Sequence, residues 1–455
     1  MGKKNRLSRP TSSRLIQNQK EMKKLSSKTK SKERSADELI ELAEKEVADP
    51  QKQIVMLTTA SKRLRSAAMS SPDSRRKLAG VLGRCAECKV ALGDLAGGQA
   101  MFLDALSTMG CTRDHLSDVE NSNLEFEVLS DAILVSGFCL YLGQLSVAEE
   151  ALMSYRFGIK LLEASLNNCK KNQTAEVNEI NEASKQLCGA YCSVADLFMT
   201  DLCFEDNAEK QCEECIRQST QYDDGVSPDA LQAFANLRLS QSRPDEAVPF
   251  ILSAYQRMKV GCESLAKLVG LGTDNEVLSR NSAIEDSDQN MKQAPELKNV
   301  DEVNALPGYE FRVQTSKLLL ECASYLAQKQ SGEDLISDQK KCAEAATQVL
   351  GSLLAENDEV IEVWYLVGRA YMAMSTPLAS EEHAQGLIDA ARYYFEHALD
   401  MLSKVKKGME KEMKRTNSVA MNAEELGEIN GQINEIEELL KTLVKGSNSD
   451  DMEEG

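Results

Sequence analysis

The stretch EVIEVWYLVGRAYMAM, residues 359–374, contains Trp364, the only tryptophan in a chain of 455 residues. Apolar residues recur along this stretch at three- and four-residue spacing, which is the period of an α-helix with a buried face. Gly368 follows the tryptophan by four residues and Tyr371 comes three residues later. Because a small residue lets another helix approach closely, we expect Trp364 and Tyr371 to pack on either side of a contact between two helices.

The spacing of Trp364, Gly368 and Tyr371 matches W-x2-L-G-x2-Y, the opening of the tetratricopeptide repeat, in which two antiparallel helices span about 34 residues. The repeat continues with A-x3-F on its second helix, and Phe395 stands at the large position of that pattern. Phe395 comes about eleven residues later than the ideal repeat places it. We therefore expect an inserted loop, STPLASEEHAQG at residues 375–386, between the two helices of this unit.

The second-helix pattern recurs six times along the chain, and strand-like alternation is scarce. A single match is common in any helix, but six matches, two of them at near-ideal spacing, are hard to obtain by chance. The sequence therefore predicts an all-α fold, a tetratricopeptide-like α-solenoid in which about six helical hairpins form a right-handed superhelix with a C-terminal capping helix. The six sets are Gly98, Phe102 and Ala105; Ala151, Tyr155 and Gly158; Ala208, Cys212 and Cys215; Ala247, Ile251 and Ala254; Ala346, Leu350 and Leu353; and Ala391, Phe395 and Ala398.

Composition and periodicity predict where the solenoid begins and ends. Apolar residues recur every three or four positions between Leu426 and Leu443, and Asn422 with Glu425 forms a candidate capping box. We expect a basic, disordered arm at 1–34, the solenoid at 35–405 with a polar loop insertion at 273–308, a linker at 406–421, an amphipathic capping helix at 422–445 and an acidic, disordered tail at 446–455.

Charge is distributed unevenly along the chain. Residues 1–34 carry twelve Lys or Arg against two Glu, a net charge of +10, so the remaining residues carry −29 of the total of −19. Residues 35–455, which we call the body of the chain, are acidic enough to repel nucleic acid, and we expect their partner to be basic. For the arm two interpretations remain open, a solubilising tail or a segment for nuclear localisation or nucleic-acid contact.

The sequence argues against several other classes of protein. No run of eighteen apolar residues and no secretory apolar region occurs, so we expect no membrane partner and a location in the cytoplasm and nucleus. No phosphate loop, nucleophile elbow or zinc-protease motif occurs, so we expect neither an enzyme nor a small-molecule substrate. The pairs Cys85/Cys88 and Cys212/Cys215 have zinc-ligand spacing, but we interpret them as buried core thiols and expect no cofactor or metal.

A groove lined by the first helices of the hairpins is where tetratricopeptide proteins bind their partners. In this register carboxylates and flat or polar side chains occupy the groove positions. Such a mixture suits an extended Lys- and Arg-rich peptide, because carboxylates pair with cations and aromatic rings stack on them. The candidates are Glu87, Asp131, Tyr141, Asp196, Asp201, Asn236, Glu362 and Tyr365.

Several segments also resemble the tetratricopeptide family of dedicated assembly chaperones for large-subunit ribosomal protein four. The similarity spans roughly residues 80–400, and MTDLCFEDNAE, residues 199–209, is the most specific motif. The other segments are LGRCAECKVALGDLAGGQAMFLDAL (82–106), FCLYLGQLSVAEEALMSYRFGIKLL (138–162), SPDALQAFANLRLSQSRPDEAVPFI (227–251) and EVIEVWYLVGRAYMAM (359–374).

The resemblance implies a chaperone that captures newly made ribosomal protein four, shields its basic extended loop in an acidic concave groove and delivers it to nuclear pre-60S ribosomes. An import receptor that binds residues 1–34 would fit this route. The basic arm and the insertion at 273–308 depart from what the family pattern leads us to expect. Two alternatives remain open: a general interaction scaffold or co-chaperone with a non-basic partner, and a nucleic-acid-binding protein that works through its arm.

Overall fold

A computed structural model describes residues 34–46, 49–68, 71–117, 131–172, 177–271, 300–329, 333–375, 381–416 and 423–446. Within these ranges the regular structure is helical, and the fold prediction of an all-α protein is confirmed. The chain divides into two compact units, Met1–Asp224 and Gly225–Gly455. The predicted arm at 1–34, apart from its last residue, and the predicted tail at 446–455, apart from its first residue, lie outside the described residues.

The first unit contains nine of the described α-helices. They are α1 (Ala36–Lys45), α2 (Pro50–Ala68), α3 (Pro72–Ala91), α4 (Leu95–Thr108), α5 (Arg113–Ser117), α6 (Ala132–Leu145), α7 (Ala148–Asn172), α8 (Val177–Met199) and α9 (Ala208–Ser219). The second unit contains a further eight. They are α10 (Asp229–Ser240), α11 (Pro244–Ala266), α12 (Val300–Asn304), α13 (Tyr309–Gln328), α14 (Glu333–Glu356), α15 (Ile361–Met374), α16 (Glu381–Thr416) and α17 (Ala423–Gly446).

Local signals in the sequence fix where several helices begin. Ser35 and Glu38 form a capping box at α1, in which each side chain accepts a hydrogen bond from the other residue's backbone N–H. At α3, Ser71 accepts from the backbone N–H of Ser74 at 3.2 Å. Asp94 does the same for Gly97 at α4, at 2.9 Å. These caps satisfy N–H groups that the first turn of a helix leaves without partners.

Consecutive helices pair into hairpins, as the repeat pattern predicts. In the first unit α3 packs on α4, α6 on α7 and α8 on α9. In the second unit α10 packs on α11, α13 on α14 and α15 on α16. We call the first helix of each hairpin A and the second B. The six sets of second-helix residues fall on the six B helices, where all but Cys215 are buried.

Close contact between A and B helices depends on glycine. At Gly368 of α15, an added Cβ would lie 2.7 Å from the buried ring of Phe395 on α16. The hairpin α6–α7 is built in the same way, since a Cβ on Gly143 would lie 2.7 Å from the ring of Tyr155. These distances are shorter than any van der Waals contact, so a side chain at either glycine would force the helices apart. The predicted role of Gly368 is confirmed.

Trp364 packs at the contact between α15 and α16. Its ring centroid lies 3.8 Å from that of His397 and 5.6 Å from that of Tyr394. Its indole N–H donates to the carbonyl oxygen of Asp358 at 2.8 Å. The tryptophan therefore fills the space between the two helices and also fixes the turn that leads into α15.

Three segments differ from the sequence predictions. Of the expected loop at 375–386, residues from 381 onward belong to α16, and 376–380 lie outside the described residues. The expected linker at 406–421 is helical as far as Thr416, because Lys, Glu and Met continue the helix and Lys404 pairs with Asp400 one turn back. Within 273–308, the short helix α12 packs on α11, and 272–299 lie outside the described residues.

The carboxyl-terminal helix α17 packs on α16, as a capping helix would. Ile436 is 2% exposed and Leu443 is 7% exposed, and both belong to the core of the second unit. The solvent-exposed side of α17 carries Glu437 and Glu438. Asn422, half of the expected capping box, lies outside the described residues.

Candidate functional site

Two A helices of the first unit, α3 and α6, lie side by side. Residues that contact each other across them are separated by nearly the same number of positions in the sequence. Arg76 pairs with Asp131, and a Cβ on Gly83 would meet the ring of Phe138. Glu87, further along α3, forms a hydrogen bond with Tyr141. Since each partner lies 54 or 55 positions further along the chain, the two helices run parallel, as A helices of successive repeats do.

Of the predicted groove residues, Asp131 already has a partner in the adjacent A helix. Its carboxylate accepts a hydrogen bond from the guanidinium of Arg76, and its side chain is only 9% exposed. The contact raises the pKa of Arg76 above its ordinary value. Asp131 also stands at the start of α6, where a negative charge is favourable. The structure therefore places Asp131 in an internal ion pair.

Glu87 and Tyr141 form an accessible acidic and aromatic pair. Both residues are exposed, and the Tyr141 ring stacks on Phe102 with centroids 5.0 Å apart and planes 10° apart. Desolvation raises the pKa of Glu87, while Arg84 and the Tyr141 hydroxyl oppose that shift. Among the described residues no Lys or Arg forms an ion pair with Glu87. A cation of a partner can therefore meet a carboxylate and a ring here.

Asp196 and Asp201 bring two carboxylates together at the end of α8. Desolvation raises the pKa of Asp196, and repulsion from Asp201 adds to the shift. Asp201 lies in the loop after α8, where it accepts a hydrogen bond from the backbone N–H of Ala148 at 3.2 Å. It thus caps α7 as well as contributing charge. Asp196 is exposed and pairs with no Lys or Arg of the described residues, which leaves it open to a basic partner.

In the second unit Asn236 lies half-buried on α10. Its neighbour Gln232 is 8% exposed and accepts a hydrogen bond from Thr315 on α13, so Gln232 joins two A helices. The sequence predicts a groove position for Asn236, whereas Gln232, one turn earlier on the same helix, serves packing. Asn236 keeps its side chain at the surface of the hairpin.

Glu362 and Tyr365 on α15 have partners within the second unit. Glu362 pairs with Lys317 on α13, with 2.7 Å between the carboxylate oxygen and Nζ. The Tyr365 hydroxyl donates to Glu435 of α17 at 2.7 Å and accepts from Arg369 at 2.9 Å. Desolvation, with the bond to Glu435, raises the pKa of Tyr365. This face therefore carries balanced charges and contacts the capping helix.

Six of the eight candidates thus fall into two classes that the sequence did not separate. Glu87, Tyr141 and Asp196 keep carboxylate or aromatic surface available, whereas Asp131, Glu362 and Tyr365 are held by Arg76, Lys317 and Glu435. Sequence reasoning missed those three partners because each lies 45 or more residues away. The constant offset between parallel A helices is the signal that would have found Arg76 and Lys317.

Nine of the thirteen cysteines are buried, and three of the four in the pairs with zinc-ligand spacing are among them. Cys85 and Cys212 are almost fully buried, and desolvation raises the pKa of the Cys85 thiol to about 11 and that of Cys212 to about 12. Such thiols resist the deprotonation that metal binding needs. In the described part of the chain no group of three or more His, Cys, Asp or Glu is placed to hold a metal ion. Nor does any described helix have the length and apolar character that crossing a membrane requires.

No family model matches the chain. A curated protein of Schizosaccharomyces pombe (strain 972), described as "Probable assembly chaperone of rpl4", is 27% identical over 376 residues, or 81% of this chain and 84% of that protein. This relative confirms the family resemblance found in the sequence.

Two solved structures are also similar. "Assembly Chaperone of RpL4 (Acl4) (Residues 1-338)" is 22% identical with a TM-score of 0.45, covering 74% of this chain and 95% of its own. "The hypoxic regulator of sterol synthesis Nro1 is a nuclear import adaptor" is 9% identical with a TM-score of 0.40, covering 77% and 94%. TM-scores at this level support no conclusion about this chain.

Proposed function

We propose that this chain is a dedicated, non-enzymatic assembly chaperone for large-subunit ribosomal protein four, rpl4. The observation that carries the proposal is the relative described as an rpl4 chaperone, whose similarity covers more than four fifths of both chains. The net charge of −29 outside the arm supports it independently, because ribosomal proteins are basic. The chain shields the basic extended segment of rpl4 against the acidic and aromatic surface of its A helices.

The surface around Glu87, Tyr141 and Asp196 suits this task chemically. A carboxylate beside an exposed ring binds lysine by charge and arginine by both charge and stacking. Neutralising the client's cations also keeps RNA away from them until release. The chaperone acts in the cytoplasm, where rpl4 is made, and in the nucleus, where it reaches pre-60S ribosomes. Residues 1–34 supply an import signal on this route.

The proposal is tested by measuring the affinity of the purified full chain for purified rpl4 over a range of salt concentrations. We expect tight binding that weakens steeply as salt rises. The double variant Glu87→Gln and Asp196→Asn removes two negative charges without leaving a paired cation behind. It should bind about tenfold more weakly and lose part of the salt dependence.

A matched control removes two charges elsewhere, through Glu396→Gln and Glu410→Gln on the B helix α16, and should bind like the wild type. If the Glu87 and Asp196 variant keeps wild-type affinity and salt dependence, the A-helix surface is not where the client binds. Absence of binding between the wild-type chain and rpl4 would overturn the chaperone proposal itself.

One observation favours a general scaffold or co-chaperone with a non-basic partner. In the second unit the A-helix face carries Lys317 and Arg369 beside Glu362 and Tyr365, so its charge is balanced. A partner selected there would bind with little dependence on salt. The salt titration therefore separates the two functions, and deletion of 1–34 tests whether any ligand depends on the arm.

A further inference from the structure

The turns between A and B helices in the first unit carry exposed apolar side chains. Leu92 and Leu95 flank the α3–α4 turn and are 37% and 44% exposed. Val147 in the α6–α7 turn is 55% exposed, and Phe204 in the α8–α9 loop is 97% exposed. Single exposed apolar residues are ordinary, but here they occupy the same position in three successive hairpins.

Hydrogen bonds show that the three turns are neighbours. The side-chain amide of Gln99, at the start of α4, donates to the carbonyl oxygen of Leu145 at 2.6 Å. The backbone N–H of Ala148 donates to Asp201 in the α8–α9 loop at 3.2 Å. The turns therefore form one continuous edge of the first unit. We call Leu92, Leu95, Val147 and Phe204 the turn ridge.

Backbone hydrogen bonds within the loop that carries Phe204 keep its side chain exposed to solvent. Leu202 is 4% exposed, and its backbone N–H donates to Leu197 at 2.8 Å, which ties the loop to α8. The N–H of Glu205 donates back to Leu202 at 3.1 Å, and that of Ala208 to Glu205 at 3.0 Å. Successive hydrogen-bonded turns fix the backbone on both sides of the phenylalanine. A fixed, exposed aromatic side chain is the kind of residue that anchors protein interfaces.

Repeat packing does not account for this loop. The motif MTDLCFEDNAE at 199–209 is the most specific part of the sequence resemblance, yet of its residues only Leu202 and Ala208 are buried. The exposed run from Cys203 to Asn207 contributes no side chain to the core. Because packing does not require these side chains, they are available to contact another molecule.

The charge around the turn ridge selects the partner. Glu149 and Glu150 follow Val147 at the start of α7, and Glu205 and Asp206 follow Phe204; all four are exposed. The nearby cations include Lys89, which pairs with Asp94, the exposed Lys210, and Arg113, which lines one cavity with Glu150. Apolar anchors within an excess of carboxylates fit a surface with apolar hollows between lysines and arginines.

We propose that the turn ridge is a second docking surface for rpl4, on which Phe204 inserts into an apolar hollow bordered by basic residues of the client. This rests on the proposed chaperone function and extends it beyond the A-helix surface. Apolar contact at the ridge adds affinity that salt does not screen, while the carboxylates around it orient the client.

The test compares wild type, Phe204→Ala and the control Val260→Ala, each as the full chain, for binding to purified rpl4. Val260 is an apolar residue on α11, 48% exposed, that lies outside the ridge. Because the Phe204 side chain is almost fully exposed, its removal should leave thermal stability unchanged. We expect Phe204→Ala to weaken binding about tenfold with the wild-type salt dependence, and Val260→Ala to bind as the wild type does.

A second measurement follows the reaction of the exposed thiol of Cys203 with a thiol reagent. Bound rpl4 should slow labelling of Cys203, which adjoins Phe204. If the wild type binds rpl4 but Phe204→Ala binds within about twofold of it, the ridge proposal is wrong while the chaperone function stands. If the wild type does not bind rpl4, the proposed function fails first.

Discussion

At the scale of single residues, the size of one side chain decides how closely two helices pack. Gly368 faces the fully buried Phe395, and Trp364 fills the adjoining space against Tyr394 and His397. The same arrangement recurs at Gly143, so the hairpins share one steric rule. The tryptophan is thus a packing residue of this hairpin, as its position in the repeat pattern predicts.

Gly368→Ala should therefore destabilise the second unit. The new methyl group would clash with Phe395, costing about 1–3 kcal/mol and outweighing the better helix propensity of alanine. Gly408→Ala on α16 is the control, since a Cβ there meets no atom within 4 Å. That control should be neutral or raise the free energy of unfolding by about 0.5–1 kcal/mol. Denaturant unfolding followed by Trp364 fluorescence measures both, and equal stability of the two variants would contradict the steric rule.

At the scale of elements, the last helix closes the core of the second unit. The apolar face of α17 packs on α16, and Tyr365 of α15 donates a hydrogen bond to Glu435. A repeat array exposes an apolar face at its end unless such a helix covers it. The helix α16 is longer than predicted, because good helix-forming residues continue it beyond the repeat.

Ile436→Asp tests the capping role of α17. A carboxylate at a position that is 2% exposed should lower the free energy of unfolding by about 2–4 kcal/mol. Glu437→Ala, at the exposed next position, should have almost no effect. Trp364 fluorescence reports the transition of the second unit in both variants. Unchanged stability of Ile436→Asp would show that α17 is not needed to close the core.

At the scale of the whole molecule, the excess negative charge governs which partners approach and how pH changes their binding. Glu87 and Asp196 have pKa values raised above their ordinary 4.5 and 3.8. A raised pKa means that a carboxylate loses its charge at a higher pH than usual. Glu87 therefore loses its attraction for cations at a higher pH than an ordinary glutamate does, and Asp196 at a higher pH than an ordinary aspartate.

Binding of rpl4 should accordingly weaken as the pH is lowered from neutral towards these raised values. The double variant Glu87→Gln and Asp196→Asn lacks both titrating groups, so its affinity should change less over the same range. The ratio of variant to wild-type dissociation constants, measured at successive pH values, should approach one as the pH falls. A ratio that stays constant would show that neither carboxylate contacts the client.

Much of the fold could be predicted from the spacing of apolar residues along short stretches of sequence. Periodicity predicted the helices, because the side chains that face a core recur every three or four residues in any amphipathic helix. The repeat register placed Phe395 and its equivalents on B helices and assigned Gly368 to a close contact. Runs of lysine and glutamate around 406–416 gave no apolar signal, so the continuation of α16 was missed.

The amino-acid sequence alone was enough for the helical hairpins, the charge of the body and the resemblance to rpl4 chaperones, because these properties depend on residue identity and short-range spacing. The tertiary structure decided which carboxylates remain available. Asp131 and Glu362 look like Glu87 and Asp196 in sequence, but Arg76 and Lys317 reach the first two across parallel A helices. Pairing depends on distances between helices far apart in the chain, and only packing sets those distances.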